Sequence, residues 1–287
     1  MKPIKSLIIL LLIAVTSYSC TSDSNSDAND FVDLEARVET DIPYGNHESQ
    51  TYDIYLPADR DIDTKTLILV HGGGWTSGDK ADMDDFVKLI QKDLPNLAIL
   101  NMNYRLADTS SEVYPMQIND ITAVVNQFNT NLSDYQISSD FGFIGTSAGA
   151  HLAMLWSYTF NDDQQAKMVC SIVGPTNFTD PEYLENVNSE ALLLLTQVYG
   201  LDLNTDFLEK VSPYHQVTEN APPTILFYGG KDDLVPSTQG AQLQSKLQDL
   251  GVMHEYTLYP EAGHGWDGLE LLDTWSKLKV FIGANLE

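Results

Sequence analysis

The stretch FGFIGTSAGAHLAML, residues 141–155, decides how the rest of the chain is read. Phe141 to Ile144 is a short, almost wholly apolar run, as expected of a strand covered on both faces, and Ser147 to Thr159 has the length and apolar content of a helix. Between them stands Gly145-Thr146-Ser147-Ala148-Gly149. Glycines two before and two after Ser147 remove the side chains that would collide in a sharp strand-to-helix turn, so the turn can lift the serine hydroxyl clear of the sheet. The helix that follows points its partly positive N-terminus at negative charge developing beside that hydroxyl. A GxSxG pattern by itself also fits an ordinary glycine-rich turn with Ser147 as a helix cap. The surrounding sequence must separate the two.

Outward from this turn, strand-like and helix-like segments alternate. TLILV (66–70) and LAIL (97–100) are short apolar runs, TYDIYL (51–56) alternates as a half-buried strand does, and 168–173, 224–228 and 256–258 continue the series. Amphipathic helices are expected at 81–94, 116–129, 238–250 and 269–283. Such alternation predicts an α/β fold, a mostly parallel central sheet with helices on both faces. From Asp30 onward there is no long linker, internal repeat or second composition regime, so residues 31–287 read as one domain. In open α/β sheets, ligands gather beyond the carboxyl ends of the strands. Residues that carry chemistry should therefore directly follow strands.

The run TLILV leads into His71-Gly72-Gly73-Gly74-Trp75. Bare backbone can approach a substrate there, and the N–H groups of Gly73 and Gly74, with that of Ala148, are expected to donate to an oxyanion. A phosphate cradle is the competing use, but no Lys-Ser or Lys-Thr follows the glycines, and Lys80 stands too far along. A hydroxyl nucleophile needs a base to take its proton and an acid to hold that base in the right tautomer. His264, in AGHGW (262–266), follows a strand and precedes the last helix. His71 reads instead as a structural hydrogen-bonder of the glycine turn, and His151, one helical turn past Ser147, as a residue that packs or caps locally. His47, His215 and His254 read as surface or core histidines. For the acid, the strand 224–228 runs into GGKDDLVP (229–236), which offers Asp232 and Asp233 side by side. Both cannot readily face one imidazole.

Six segments, HGGGWTSGDK (71–80), NYRLA (103–107), YPMQINDI (114–121), GTSAGAHLA (145–153), GGKDDLVP (229–236) and GHGW (263–266), together resemble the α/β-hydrolase superfamily. The likeness is to its esterase branch, related to hormone-sensitive lipase and the bacterial feruloyl and acetyl-xylan esterases, and runs from about Thr51 to the C-terminus. It implies an α/β-hydrolase fold with a small cap insertion at 175–222, in which the run ALLLL (191–195) could line an acyl or aryl pocket or simply pack on the core. It also implies a catalytic triad in the order Ser147, Asp232, His264, with Asp232 rather than Asp233 as the acid. Tyr104, Arg105 and Asp120 are implied as scaffold. The activity implied is that of a serine carboxylesterase without metal or organic cofactor, its substrate an ester of acetyl or feruloyl groups on plant polysaccharide or a related small ester. A dipeptidyl-peptidase-like peptidase or an arylformamidase would use the same triad, and a non-catalytic binding protein could keep the same scaffold.

Composition narrows the partners. Among 287 residues, 41 Asp and Glu face 15 Lys and Arg, a formal charge of −26. With no basic patch in the sequence, that surface repels phosphate backbones, which excludes a nucleic-acid partner. The two cysteines, Cys20 and Cys170, lack the paired spacing of a structural zinc site. At the N-terminus, Lys2 and Lys5 precede an apolar run from Leu7 to Val15, so residues 1–19 read as a signal peptide. The run is too short to span a bilayer, which takes about 20 residues. Cys20, directly after it, resembles the lipidated cysteine of bacterial lipoproteins, and TSDSNSDAND (21–30) reads as a solvated tether. The expectation is an exported protein, periplasmic or at the cell surface, that meets a membrane only through this anchor. Ordinary secretion, with Cys20 free or bonded to Cys170, is the alternative.

Overall fold

The computed structural model describes residues 34–108, 110–111, 113–182 and 205–286. The expected signal peptide, Cys20 and tether lie outside the described residues, as do positions 183–204 of the expected cap, among them ALLLL. Strands β1 (Arg37–Pro43), β2 (Thr51–Leu56), β3 (Thr66–Val70), β4 (Ala98–Met102), β5 (Phe141–Thr146), β6 (Ala166–Ile172), β7 (Thr224–Gly229) and β8 (His254–Tyr259) form one sheet in the order β1-β2-β4-β3-β5-β6-β7-β8. The β1–β2 and β2–β4 pairs are antiparallel and all others parallel.

Helices α1 (Asp84–Asp93), α2 (Val113–Tyr135), α3 (Ala148–Thr159), α4 (Thr205–Lys210), α5 (Pro213–Gln216), α6 (Thr238–Leu250) and α7 (Gly268–Asn285) complete the described elements. Their distribution follows from the strand pleat, which sends alternate residues to opposite faces. In β3, Ile68 and Val70 join a core that contains Ile118 and Ile121 of α2, Leu152 of α3 and Leu243 of α6. Leu67 and Leu69 face the other way, onto Val87 and Ile90 of α1 and Leu278 and Phe281 of α7. Both faces are thus covered, which is why the central strands read as unbroken apolar runs.

The chain leaves β3 toward β4 on one side and leaves β5 toward β6 on the other, although β3 and β5 are neighbours paired Val70 to Gly145. That divergence opens a crevice beyond their carboxyl ends, the favoured ligand position in such sheets. The glycine run after β3 and Ser147 after β5 both emerge there.

Strand β1 has no counterpart among the expected elements. It is an edge strand whose residues RVETDIP are mostly exposed, and its register slips between Glu39 and Ile42, so it presents neither apolar run nor clean alternation. Two helix ends also differ from expectation. The expected helix at 81–94 opens as a short 3-10 turn, Lys80–Met83, capped by the Asp79 carboxylate. Helix α2 continues beyond Asn129 through a polar segment to Tyr135, whose hydroxyl hydrogen-bonds that of Tyr52 at 2.8 Å.

Candidate active site

Ser147 sits between β5 and α3 with φ 50° and ψ −120°, a left-handed backbone that a non-glycine residue adopts only under constraint. The constraint is visible on both sides. Its N–H donates to the Ile172 carbonyl at the end of β6, 2.8 Å away, and its carbonyl accepts from His151 N at 3.1 Å. The flanking glycines are required by close approach. A Cβ on Gly149 would stand 2.2 Å from the carbonyl oxygens of both Val70 and His71, and one on Gly145 2.5 Å from the Ala150 Cα. The first turn of α3 therefore presses directly on the end of β3.

Three side chains expected to act together meet at this turn. His264 Nε2 lies 2.9 Å from Ser147 Oγ, and His264 Nδ1 lies 2.8 Å from Asp232 Oδ2. The other carboxylate oxygen, Oδ1, accepts the backbone N–H groups of Leu234 at 2.8 Å and Val235 at 2.9 Å. The Asp232 side chain is fully buried, whereas Asp233 is exposed, so of the two adjacent acids it is Asp232 that faces the imidazole. Main-chain contacts bring the acid loop and the histidine loop together: Gly230 N donates to Tyr259 O and Lys231 N to Ala262 O, each at 2.8 Å. Gly229 approaches so closely that a Cβ there would lie 2.1 Å from the Gly263 carbonyl oxygen.

A carboxylate only accepts, so Asp232 holds the proton on Nδ1 and leaves the Nε2 lone pair facing the serine hydroxyl. That is the tautomer a general base requires.

The glycine loop lies beside the serine. A Cβ on Gly72 would come within 3.2 Å of Ser147 Cβ. Gly73 (φ 112°) and Gly74 (φ 57°) both adopt left-handed backbone, and the Gly73 carbonyl accepts from Thr76 N, Ser77 N and Ser77 Oγ. Among the described residues, no hydrogen bond consumes the N–H groups of Gly73, Gly74 or Ala148, so all three remain able to donate. Beyond the loop, the buried Lys80 ammonium pairs with Asp41 and Asp53, while Lys80 N donates to Asn103 Oδ1 at 2.6 Å. Burial opposes the charge on Lys80, but the two carboxylates outweigh it and raise its proton affinity.

His71 stacks on Tyr104, ring centroids 4.2 Å apart, and burial lowers its proton affinity. Tyr104 Oη donates to the His71 carbonyl at 2.9 Å, and Arg105 makes a forked pair with the buried Asp120. Tyr104 is thereby tied to the residue that opens the glycine loop, and Arg105 to α2 through Asp120. His47 and His215 are exposed, and His254 lies half-buried in β8. His151 departs from the expectation of local packing: its ring bridges Trp75 of the glycine loop and the carbonyl of Val211, which precedes α5. No sequence pattern marks this bridge: the burial of Trp75, which obliges its indole N–H to find a partner, is set by the fold.

Residues 52–247 match the family model described as BD-FAE. The chain is 28% identical over 250 residues to Esterase LipC of Mycobacterium tuberculosis, across 80% of this chain and 60% of that protein. It is 26% identical over 243 residues to Esterase LipQ of the same organism, across 79% and 57%. The chain thus spans less than two thirds of the length of these curated relatives. Among solved structures, a truncated carbohydrate esterase from gut microbiota superposes with a TM-score of 0.70 at 20% identity, over 87% of this chain and 98% of that one, which establishes the α/β-hydrolase fold.

Proposed function

The chain belongs to the BD-FAE family, and on that premise we propose that it is a serine carboxylesterase acting on acetyl or feruloyl esters. The observation that carries the proposal is the unbroken Ser147–His264–Asp232 chain, with links of 2.9 and 2.8 Å, beside three backbone N–H groups that no hydrogen bond among the described residues consumes. In the proposed reaction His264 Nε2 takes the proton of Ser147 as Oγ attacks the ester carbonyl. The oxyanion that forms is held by the N–H groups of Gly73, Gly74 and Ala148, which matter most because they sit where charge develops. Asp232 stabilises the imidazolium. His264 then returns its proton to the leaving alcohol, and water repeats the sequence to free the acid.

The finer reading, esters on plant polysaccharide, draws on the likeness to a carbohydrate esterase and on the expected export of the chain, since a polymer must be processed outside the cell. Export through residues 1–19 and anchoring through Cys20 are part of the same proposal. Cys20→Ala should release the protein from the membrane fraction.

The test is turnover on p-nitrophenyl acetate, p-nitrophenyl butyrate, methyl ferulate and acetylated xylan, beside an aminoacyl-amide and a formamide panel. Hydrolysis of the acetyl or feruloyl esters supports the reading. Activity on amides or formamides with none on these esters replaces it with a peptidase or formamidase on the same triad.

A further inference from the structure

We propose that His151 is a positioning residue, which holds the Gly73–Gly74 loop at Ser147 by accepting a hydrogen bond from the Trp75 indole. The proposal rests on the hydrolase reading of the site. It begins with Trp75, the residue after Gly74, which is buried and has φ 64°. A bulky side chain persists in the left-handed region only where its surroundings over-determine it. Here the Trp75 carbonyl accepts from Ala107 N at 2.9 Å and Gln117 Nε2 at 2.7 Å, and the indole packs edge-on against His151 and Phe178.

The imidazole of His151 is held in one tautomer by its two neighbours. Its Nε2 lies 2.8 Å from the Val211 carbonyl, which can only accept, so Nε2 carries the proton. Nδ1 is left with a lone pair, and Trp75 Nε1, which can only donate, points at it from 3.2 Å. Burial pushes the His151 pKa down to about 4, so the neutral acceptor persists at neutral pH. The backbone N–H of the same residue donates to Ser147 O at 3.1 Å. One residue therefore grips the nucleophile turn through its main chain and the oxyanion loop through its ring. Donors that stabilise an oxyanion act only at the right distance, and a displacement of about 1 Å can cost about a hundredfold in rate.

The experiment compares wild type, His151→Leu, Trp75→Phe and the double variant by Michaelis kinetics on p-nitrophenyl acetate, and follows the 15N indole resonances. Each single change is expected to lower kcat by about ten- to a hundredfold with KM held within about twofold, because the loss falls on the transition state. The double variant should be no slower than the slower single one. The Trp75 indole N–H resonance, assigned by its loss in Trp75→Phe, should move in His151→Leu. An unchanged kcat in Trp75→Phe or His151→Leu, a change in KM alone, or multiplicative effects in the double variant would overturn the proposal. If His151→Leu does not fold, Trp75→Phe decides by the same criteria. If wild type hydrolyses no ester, amide or formamide, the hydrolase reading has failed separately, and the resonance decides: a shift in His151→Leu supports the brace and an unmoved resonance overturns it.

Discussion

His264 Nδ1 lies 2.8 Å from Asp232 Oδ2, while Asp233, next in the chain, is exposed to solvent. The carboxylate that faces the imidazole is itself held by two backbone N–H groups, so the pair is oriented before any substrate arrives. Asp232→Asn is expected to lower kcat by about ten-thousandfold, because an amide can stabilise the wrong imidazole tautomer. Asp233→Asn should leave kcat within about twofold of wild type, because the imidazole is faced by Asp232 and the Asp233 carboxylate is exposed to solvent. Steady-state kinetics on the two variants checks the assignment, and the reverse ranking contradicts it.

The backbone at Ser147 predicts a separation of stability from activity. Its φ of 50° is strained for serine and costs glycine nothing. Ser147→Gly should therefore be inactive yet more stable, by about 1 kcal/mol, in urea unfolding. Equal or lower stability would show that the turn carries no such strain.

Close packing of α3 on β3 gives a third prediction. The Cβ of Gly149→Ala would meet the Val70 and His71 carbonyl oxygens at 2.2 Å, and main chain at the centre of a sheet has little room to yield. The substitution should destabilise the protein by about 3 kcal/mol or more, through overpacking, and reduce activity by displacing the elbow. A variant that folds and turns over as wild type would mean that this contact relaxes freely.

The buried His151 should shape stability against pH. Its pKa falls from the ordinary 6.5 to about 4 because burial disfavours the charged ring. The unfolded chain then binds a proton that the folded one refuses, so stability is fully present above pH 6.5 and is lost as pH falls toward 4. Over that window the loss amounts to about 3 kcal/mol. His151→Leu should show a correspondingly flatter profile between pH 6.5 and 4 in denaturant titrations. An identical slope would assign the acid sensitivity to other groups.

Much of the site was legible because glycine spacing encodes close approach. The glycines around Ser147, Gly72 and Gly73 after β3, and the pair at 229–230 each mark a place where main chain comes too near for a side chain, and these places converge on one end of the sheet. The central strands were legible because burial on both faces leaves them uniformly apolar. Strand β1 was not, since an edge with mixed charge and a slipped register carries no period. His151 was recognised as a packed residue but not as a bridge, because its partners, Trp75 and Val211, lie 76 and 60 positions away and only the fold brings them together.

The most direct measurement is mass spectrometry of the protein after treatment with a fluorophosphonate. The account predicts a single stoichiometric adduct on the peptide that contains Ser147, lost in Ser147→Ala and reduced to trace in His264→Ala, with turnover of Ser147→Ala down by about a millionfold. Labelling at another residue, or equal labelling when His264 is removed, would contradict the proposal that Ser147, His264 and Asp232 work as one unit.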